Sequence, residues 1–477
     1  MPPPSPTRRE FLQSTSLGFG ALALSSLLET DRVRAATRDG IPHEMSPRHG
    51  HFTSQAKSVI MLFQNGGASQ MDLFEPKPEL QRRHGDMVSR FPDGPDKKET
   101  PEPLMGSKFR FRPRGQSGIE FSELVPQLGG VVDDLCVVRS MYSNDPNHPG
   151  ATYMMCSCNN RPGRPTMGAW VTYALGSENQ NLPGYVLLRP PGVFHSGGAM
   201  QMTNGWLPAI FRGTELRSEG DPVLNLRRAD AQPPGAQQNS LQLLGQLNQI
   251  QRRRFPDESV LDARIKNYEL AARMQLTAVE ELDLSSESRE TQRLYGLDNP
   301  ETAPYGRQLM LARRLVERGV RFVQVLSPGG HNVWDHHSGL NEKLPAICRR
   351  TDLPSAALIT DLKRRGLLDQ TIVIWTGEFG RLPTAEGKAA TGRGHNPHGF
   401  TTLLAGGGLK GGYVHGATDE FGYAATEDRV GVPDLMATVL HQLGLDHERL
   451  TFPLHATSET LTDAKVTGAS VVRDLVG

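Results

Sequence analysis

The chain has 477 residues and carries 52 basic and 52 acidic side chains, so its formal net charge is zero. That balance excludes the basic excess expected of a nucleic-acid-binding protein. Four cysteines (Cys136, Cys156, Cys158 and Cys348) are too few for a disulfide framework, and without a C-x-x-C pair they exclude a zinc ribbon.

The first predicted element is a targeting segment. Thr7-Arg8-Arg9-Glu10-Phe11-Leu12 reads as a twin-arginine signal, followed by an apolar core over 17–28. That core is about a dozen residues, short of the roughly 20 that a membrane span needs. Val33-Arg34-Ala35 offers small residues for cleavage. Residues 1–36 are therefore expected to engage the twin-arginine export machinery. The mature chain is expected in the periplasm or outside the cell, with no stable membrane span. Residues 37–57, polar and containing His43, His49 and His51, read as a linker.

Folding is expected to begin at 58–64, SVIMLFQ, an apolar run of the kind buried on both faces of a parallel sheet. It runs into Asn65-Gly66-Gly67, where Asn65 and then Asp72 are the polar candidates. Residues 76–118, rich in Pro, Gly, Lys and Arg, read as a surface excursion. A helix is predicted over 123–134 and a strand over 135–141. The strand exits into SNDPNHPGAT, which holds Asn147, His148 and Thr152. A helix over 166–176 and a strand over 184–188 follow, and His195 in its Gly-rich loop reads as structural. Over 236–297, Leu241, Leu244, Leu247 and Ile250 recur at helical spacing, and 261–282 continues the pattern. This is a helical insertion whose charges read as a solvated face.

A helix over 305–319 feeds a strand over 320–326. The loop after it, SPGGHNVWDHHSGL, packs His331, Asp335, His336 and His337 close together, a carboxylate and imidazole mixture that divalent metals favour. A helix over 341–365 leads to a strand over 371–375, then Glu378 and Arg381, a Gly-rich loop, and His395 and His398. An apolar run over 401–405, a glycine turn over 406–412 and a helix over 433–443 complete the pattern. Strands alternating with helices predict an α/β layer fold. In such sheets ligands sit outside the carboxyl ends of the strands. Four clusters are expected to converge there: Asn65/Asp72, Asn147/His148/Thr152, Asp335/His337 and Glu378/His395/His398.

Longer stretches carry a resemblance. FQNGGASQMDLFEPKP (63–78), VVRSMYSNDPNHPGA (137–151), TMGAWVTYALGSENQNLPGYVLL (166–188), VWDHHSGL (333–340), GEFGRLP (377–383) and GRGHNPHGFTTLLAGGGLKGG (392–412) resemble domain-of-unknown-function family 1501. These are exported bacterial proteins similar to the alkaline phosphatase and sulfatase superfamily. The resemblance implies an alkaline phosphatase/sulfatase-like three-layer sandwich over 58–477, with a central mostly parallel sheet and the 236–297 helical insertion. It also implies a two-metal hydrolase of phosphate or sulfate esters, acting on a small molecule or glycan. The first metal would take Asp335, His337 (or His336) and His395. The second would take Asp72, because Asn65 stands at the expected early aspartate, together with Glu378, where Glu378-Phe379 replaces an Asp-His pair. Zinc is the implied ion, with calcium, manganese or magnesium as alternatives. Thr152 or Asn147 stands at the nucleophile's place, and an asparagine there would leave the attack to water, since it forms no covalent intermediate. The modified-cysteine context of sulfatases is absent around Cys156 and Cys158. Arg381 or Arg139 would hold the anionic group, Glu378 would ligate the metal or act as base, and His398 would orient a ligand or protonate the leaving group. The alternative reading is a degenerate relative that binds a metal or an anionic glycan without turnover.

Overall fold

The computed structural model describes residues 45–91, 97–190, 195–217, 236–254, 266, 270, 283–386 and 390–477. The signal segment 1–36, the first part of the linker and nearly all of 255–282 lie outside the described residues. In chain order the strands that position the site are β1 (Ser58–Phe63), β2 (Leu135–Tyr142), β3 (Tyr185–Leu188), β4 (Thr214–Leu216), β5 (Phe322–Leu326), β6 (Thr371–Thr376), β7 (Gly380–Ala385), β8 (Arg393–Asn396), β9 (Phe400–Ala405), β10 (Tyr413–His415) and β11 (Val430–Gly431). The helices are α1 (His148–Ser157), α2 (Met167–Leu175), α3 (Ala236–Arg254), α4 (Ala303–Glu317), α5 (Leu340–Arg364) and α6 (Val432–Gln442).

From Val59 to Phe63 no side chain can pair with water, and β1 is buried along its whole length at the middle of the sheet. The order is β10-β2-β9-β6-β1-β5-β3-β4, with β11 paired to the end of β2. β1 runs parallel to both β5 and β6, in register Phe63 to Leu326 and Phe63 to Thr376. β9 runs antiparallel to β6 and to β2, so β2 shares the direction of β1, β5 and β6. Four strands thus deliver their carboxyl ends to one edge.

Alternation along the strands builds two cores. Ile60, Leu62, Val323, Val325, Val373 and Trp375 pack with Leu309, Leu315, Leu344 and Leu358 of α4 and α5. Val59, Met61, Phe63, Ile372 and Ile374 pack on the opposite face with Trp170 of α2 and Leu435 and Val439 of α6. The result is a three-layer α/β sandwich around a largely parallel sheet, as expected. Each fully buried aliphatic or aromatic side chain contributes about 1.5–3 kcal/mol to it.

Some elements differ from the sequence expectation. The helix expected over 123–134 is only Pro126–Gly130 followed by a 3-10 turn, because Pro126 sets its start and Gly129-Gly130 favour its end. The excursion over 76–118 contains two hairpins, Met87–Arg90 with Lys97–Pro103 and Phe111–Arg114 with Ile119–Ser122. It is pinned by Leu80, Phe91 and Leu104 against Phe421 and Tyr423. The described part of the linker docks onto the sandwich: the Arg48 guanidinium donates to the carbonyls of Thr172, Tyr173 and Ala174 in the last turn of α2. Within the insertion, α3 is a helix with Leu243, Leu244, Leu247 and Ile250 exposed.

Candidate metal centre

The loop after β5 is brought to the end of β1 by one backbone pairing, Trp334 N donating to Asn65 O at 3.0 Å, while within the loop Asp335 N donates to Asn332 O at 2.8 Å. Gly66 makes the approach possible. Its φ is +114°, and a Cβ there would lie 2.6 Å from Asp335 N and 2.8 Å from Trp334 N. After β6 the chain turns through Glu378 into the β7–β8 hairpin, whose register sets Arg381 directly opposite His395. Directly opposed residues share a face of the ladder, so both reach toward Asp335. On the other side β2 ends and α1 begins at once, with Asn147 as N-cap and His148 in the first turn.

Four side chains meet there: His148, Asp335, His337 and His395 each offer an atom, all within 4.8 Å of one another. His148 Nε2 lies 3.1 Å from Asp335 Oδ2. His337 Nε2 and His395 Nε2 lie 2.8 and 3.2 Å from Asp335 Oδ1. The two nitrogens are 3.0 Å from each other.

The other nitrogen of each ring is anchored to oxygen. Nδ1 of His148 is 2.7 Å from Glu378 Oε1, that of His337 is 2.5 Å from Glu386 Oε2, and that of His395 is 2.7 Å from the Pro146 carbonyl. A carbonyl and a carboxylate only accept, so each Nδ1 donates and each neutral ring turns its Nε2 lone pair inward. Lone pairs and a carboxylate oxygen about 3 Å apart repel unless a cation or protons lie among them. This is the pattern of metal-ligating histidines, whose far nitrogen is held by an oxygen acceptor. The residues present therefore fit a divalent cation. Without one, burial alone would lower the pKa of His148, but the Asp335 and Glu378 carboxylates carry it up to about 9. Burial would raise the Asp335 carboxyl, but His148, His395 and Arg381 hold it well below the usual carboxylate range.

The remaining predicted residues fall into different places. His337, not His336, joins the cluster; His336 is buried, and burial with the nearby Arg381 pushes its ring down to about 4. Glu378 is 0% exposed and grips His148 Nδ1 and Gly66 N (2.9 Å), behind the ligands. Arg381 is buried and spent inside the protein: it donates to the carbonyls of Gly66, Gly67 and Arg393 and holds Asp335 Oδ1 at 2.6 Å. Asp72 lies outside the cluster, fully buried and paired with Arg393 Nε at 2.8 Å. Thr152 is 0% exposed, with Oγ1 enclosed and unpartnered. Asn147 is exposed at the N-cap, and the His398 ring stacks on Tyr423 at 5.5 Å. Asn65 is fully buried with its amide unpartnered, and among the described residues no second grouping of three His, Cys, Asp or Glu forms beside it. Phe379 packs against the rings of His395 and His148, at 4.5 and 5.0 Å, and walls the site with carbon.

Sequence reasoning placed His148 at a strand exit without giving it a ligand's role, and it passed over Glu386. For His148 the available signal was a histidine in the first turn after a buried strand. For Glu386 there was none, since its distance from His337 is bridged only by the hairpin.

The family described as "Protein of unknown function (DUF1501)" matches residues 56–476. No curated protein matches the sequence. Among solved structures, the PsFucS1 sulfatase from Pseudoalteromonas sp. is 12% identical, with 82% of this chain and 68% of that chain covered at a TM-score of 0.36. The lipoteichoic acid synthase LtaP from Listeria monocytogenes is 10% identical, with 85% and 76% covered at 0.33. The alkaline phosphatase from the Antarctic bacterium TAB5 is 11% identical, with 82% and 99% covered at 0.30.

Proposed function

The chain belongs to the DUF1501 family, and from that premise we propose that it is an exported, metal-dependent hydrolase of phosphate or sulfate esters. The observation that carries the reading is the inward set of three Nε2 atoms around Asp335, each ring locked from behind by an oxygen. Three imidazoles and one carboxylate suit zinc best. Calcium and magnesium prefer more oxygens, and manganese lies between. When bound, such an ion polarises a phosphoryl or sulfuryl oxygen and acidifies water.

This chain's own residues supply the rest. Glu378 and Glu386 keep the ring nitrogens of His148 and His337 in the ligating tautomer. Arg381 fixes Asp335. Thr152 is enclosed, so the reading takes water and not a side chain as nucleophile. The motifs similar to the alkaline phosphatase and sulfatase superfamily support an anionic ester of a small molecule or glycan as substrate. The Arg8-Arg9 segment supports export through the twin-arginine route to the periplasm or beyond.

A second reading, a protein that binds a metal or an anionic glycan without turnover, is favoured by one observation. Arg381, one of the two expected anion clamps, is tied to Asp335, and Thr152, the candidate able to form a covalent intermediate, is enclosed. Zinc-loaded full-length protein assayed with aryl phosphates and aryl sulfates separates the two. Turnover that His395→Ala abolishes identifies the hydrolase. One zinc per chain with no turnover on the whole panel identifies the binding protein. No bound metal contradicts the hydrolase and leaves the second reading only its anionic-glycan form.

A further inference from the structure

We propose that the cleft beside His148 receives the organic part of the ligand, and that this part is a neutral ring or short chain offering a hydrogen-bond donor. The inference rests on the metal-site reading above and names the substrate class it admits. Between the first turn of α1 and the loop that begins at His195 lies an open cleft of about 450 Å³. His148 and Pro149 form one wall, Gly197, Gly198 and Met200 the other, and Asn332 closes the end near Asp335. His148 belongs to both, so the cleft borders the metal centre. A ligand whose oxyanion meets a cation held by the four side chains would project its remainder into this space.

The lining decides what that remainder is. Among the described residues that line the cleft there is no Lys, Arg, Asp or Glu. A charged sugar acid or a sulfated chain would lose water there and gain no counter-charge. A neutral apolar group loses nothing of the kind. The volume is that of a site for one small organic group, not a groove for a polymer. The glycine wall is a built feature: at Gly197 (φ +83°) a Cβ would lie 2.9 Å from Thr152 Cγ2, so the loop backbone presses directly on α1.

Beside Ser196 and His331, the lining includes one buried acceptor without a partner. Asn332 is 7% exposed, adopts φ +47°, and has its Oδ1 buried without a partner. A desolvated acceptor held in a strained backbone conformation calls for a donor. A ligand hydroxyl supplies it.

Calorimetric titration of the zinc-loaded full chain tests this with phosphonates, which resist hydrolysis. Phenylphosphonate is expected to bind at least tenfold tighter than methylphosphonate, and 4-carboxyphenylphosphonate to lose that gain. Met200→Glu should erase the phenyl preference while zinc content stays at one per chain. 3-Hydroxyphenylphosphonate should bind tighter than phenylphosphonate, with the difference gone in Asn332→Gly, which keeps the positive φ without strain. Equal affinity for the methyl and phenyl compounds, or tighter binding of the carboxylated one, would overturn the inference with the metal reading intact. A chain that takes no zinc would overturn the metal reading and this inference together; one that takes zinc and none of the phosphonates would overturn this inference alone.

Discussion

Each histidine of the centre is held by two contacts of different kind, and the two are separable by mutation. Asp335 faces Nε2 and defines where a cation would sit; Glu378, Glu386 and the Pro146 carbonyl face Nδ1 and define which way each ring points. Glu378→Gln keeps the shape but exchanges a carboxylate for an amide, which no longer guarantees the tautomer. It is expected to weaken zinc binding by about 10–100-fold without abolishing it, as read by competition with a chromogenic chelator. A second residue-scale consequence concerns His195, 2% exposed with both ring nitrogens unpartnered. Burial, with help from Arg189 and His331, pushes its pKa down to about 4. The folded state keeps it neutral, whereas the unfolded chain takes up a proton near pH 6.5. The stability tied to this neutral ring is therefore complete above pH 6.5 and is lost as pH falls toward about 4. His195→Leu removes that dependence. In urea melts with chelator present, the stability advantage of wild type over the variant should shrink by about 2 kcal/mol between pH 7 and 4.

At the scale of elements, the β7–β8 hairpin is the part that assembles the site, and Arg381 is its anchor. One guanidinium ties the hairpin to the Gly66-Gly67 turn after β1, to the facing strand at Arg393, and to the β5 loop through Asp335. Arg381→Met would leave three buried carbonyls without a donor and a carboxylate without its cation. A loss of about 3–5 kcal/mol is expected in denaturant unfolding. Arg381→Lys should recover little, because a point charge cannot serve this fork of acceptors. The strands around the hairpin were readable in sequence: 58–64, 135–141 and 371–375 are short runs of apolar residues, and each lies within a residue or two of the strand found. The hairpin itself was read as a loop, because Gly380-Arg381-Leu382-Pro383 and Arg393-Gly394-His395-Asn396 show no strand period. The 123–134 stretch failed for the opposite reason: its apolar spacing suggests a helix that Pro126 and paired glycines curtail.

Across the whole molecule, one topological fact makes a centre possible. β1, β2, β5 and β6 point the same way, so loops separated by more than two hundred residues in sequence meet at one edge. The α/β alternation was legible in hydrophobic runs, and with it the edge where polar residues would gather. Asp335, His337 and His395 could be singled out because loop position and motif resemblance coincide on them. The long-range pairings could not. Nothing local announces that Asp72 is answered by Arg393, that Arg381 is consumed by backbone carbonyls, or that Glu378 stands behind His148. These are partnerships that only folding creates, and they change a residue's role without changing its neighbours in sequence. The most direct measurement is anomalous scattering at the zinc edge from crystals of the zinc-loaded chain. One zinc bounded by His148, Asp335, His337 and His395 is expected, lost in both His148→Ala and His395→Ala. Zinc bound elsewhere, or held at full occupancy in either variant, would contradict it.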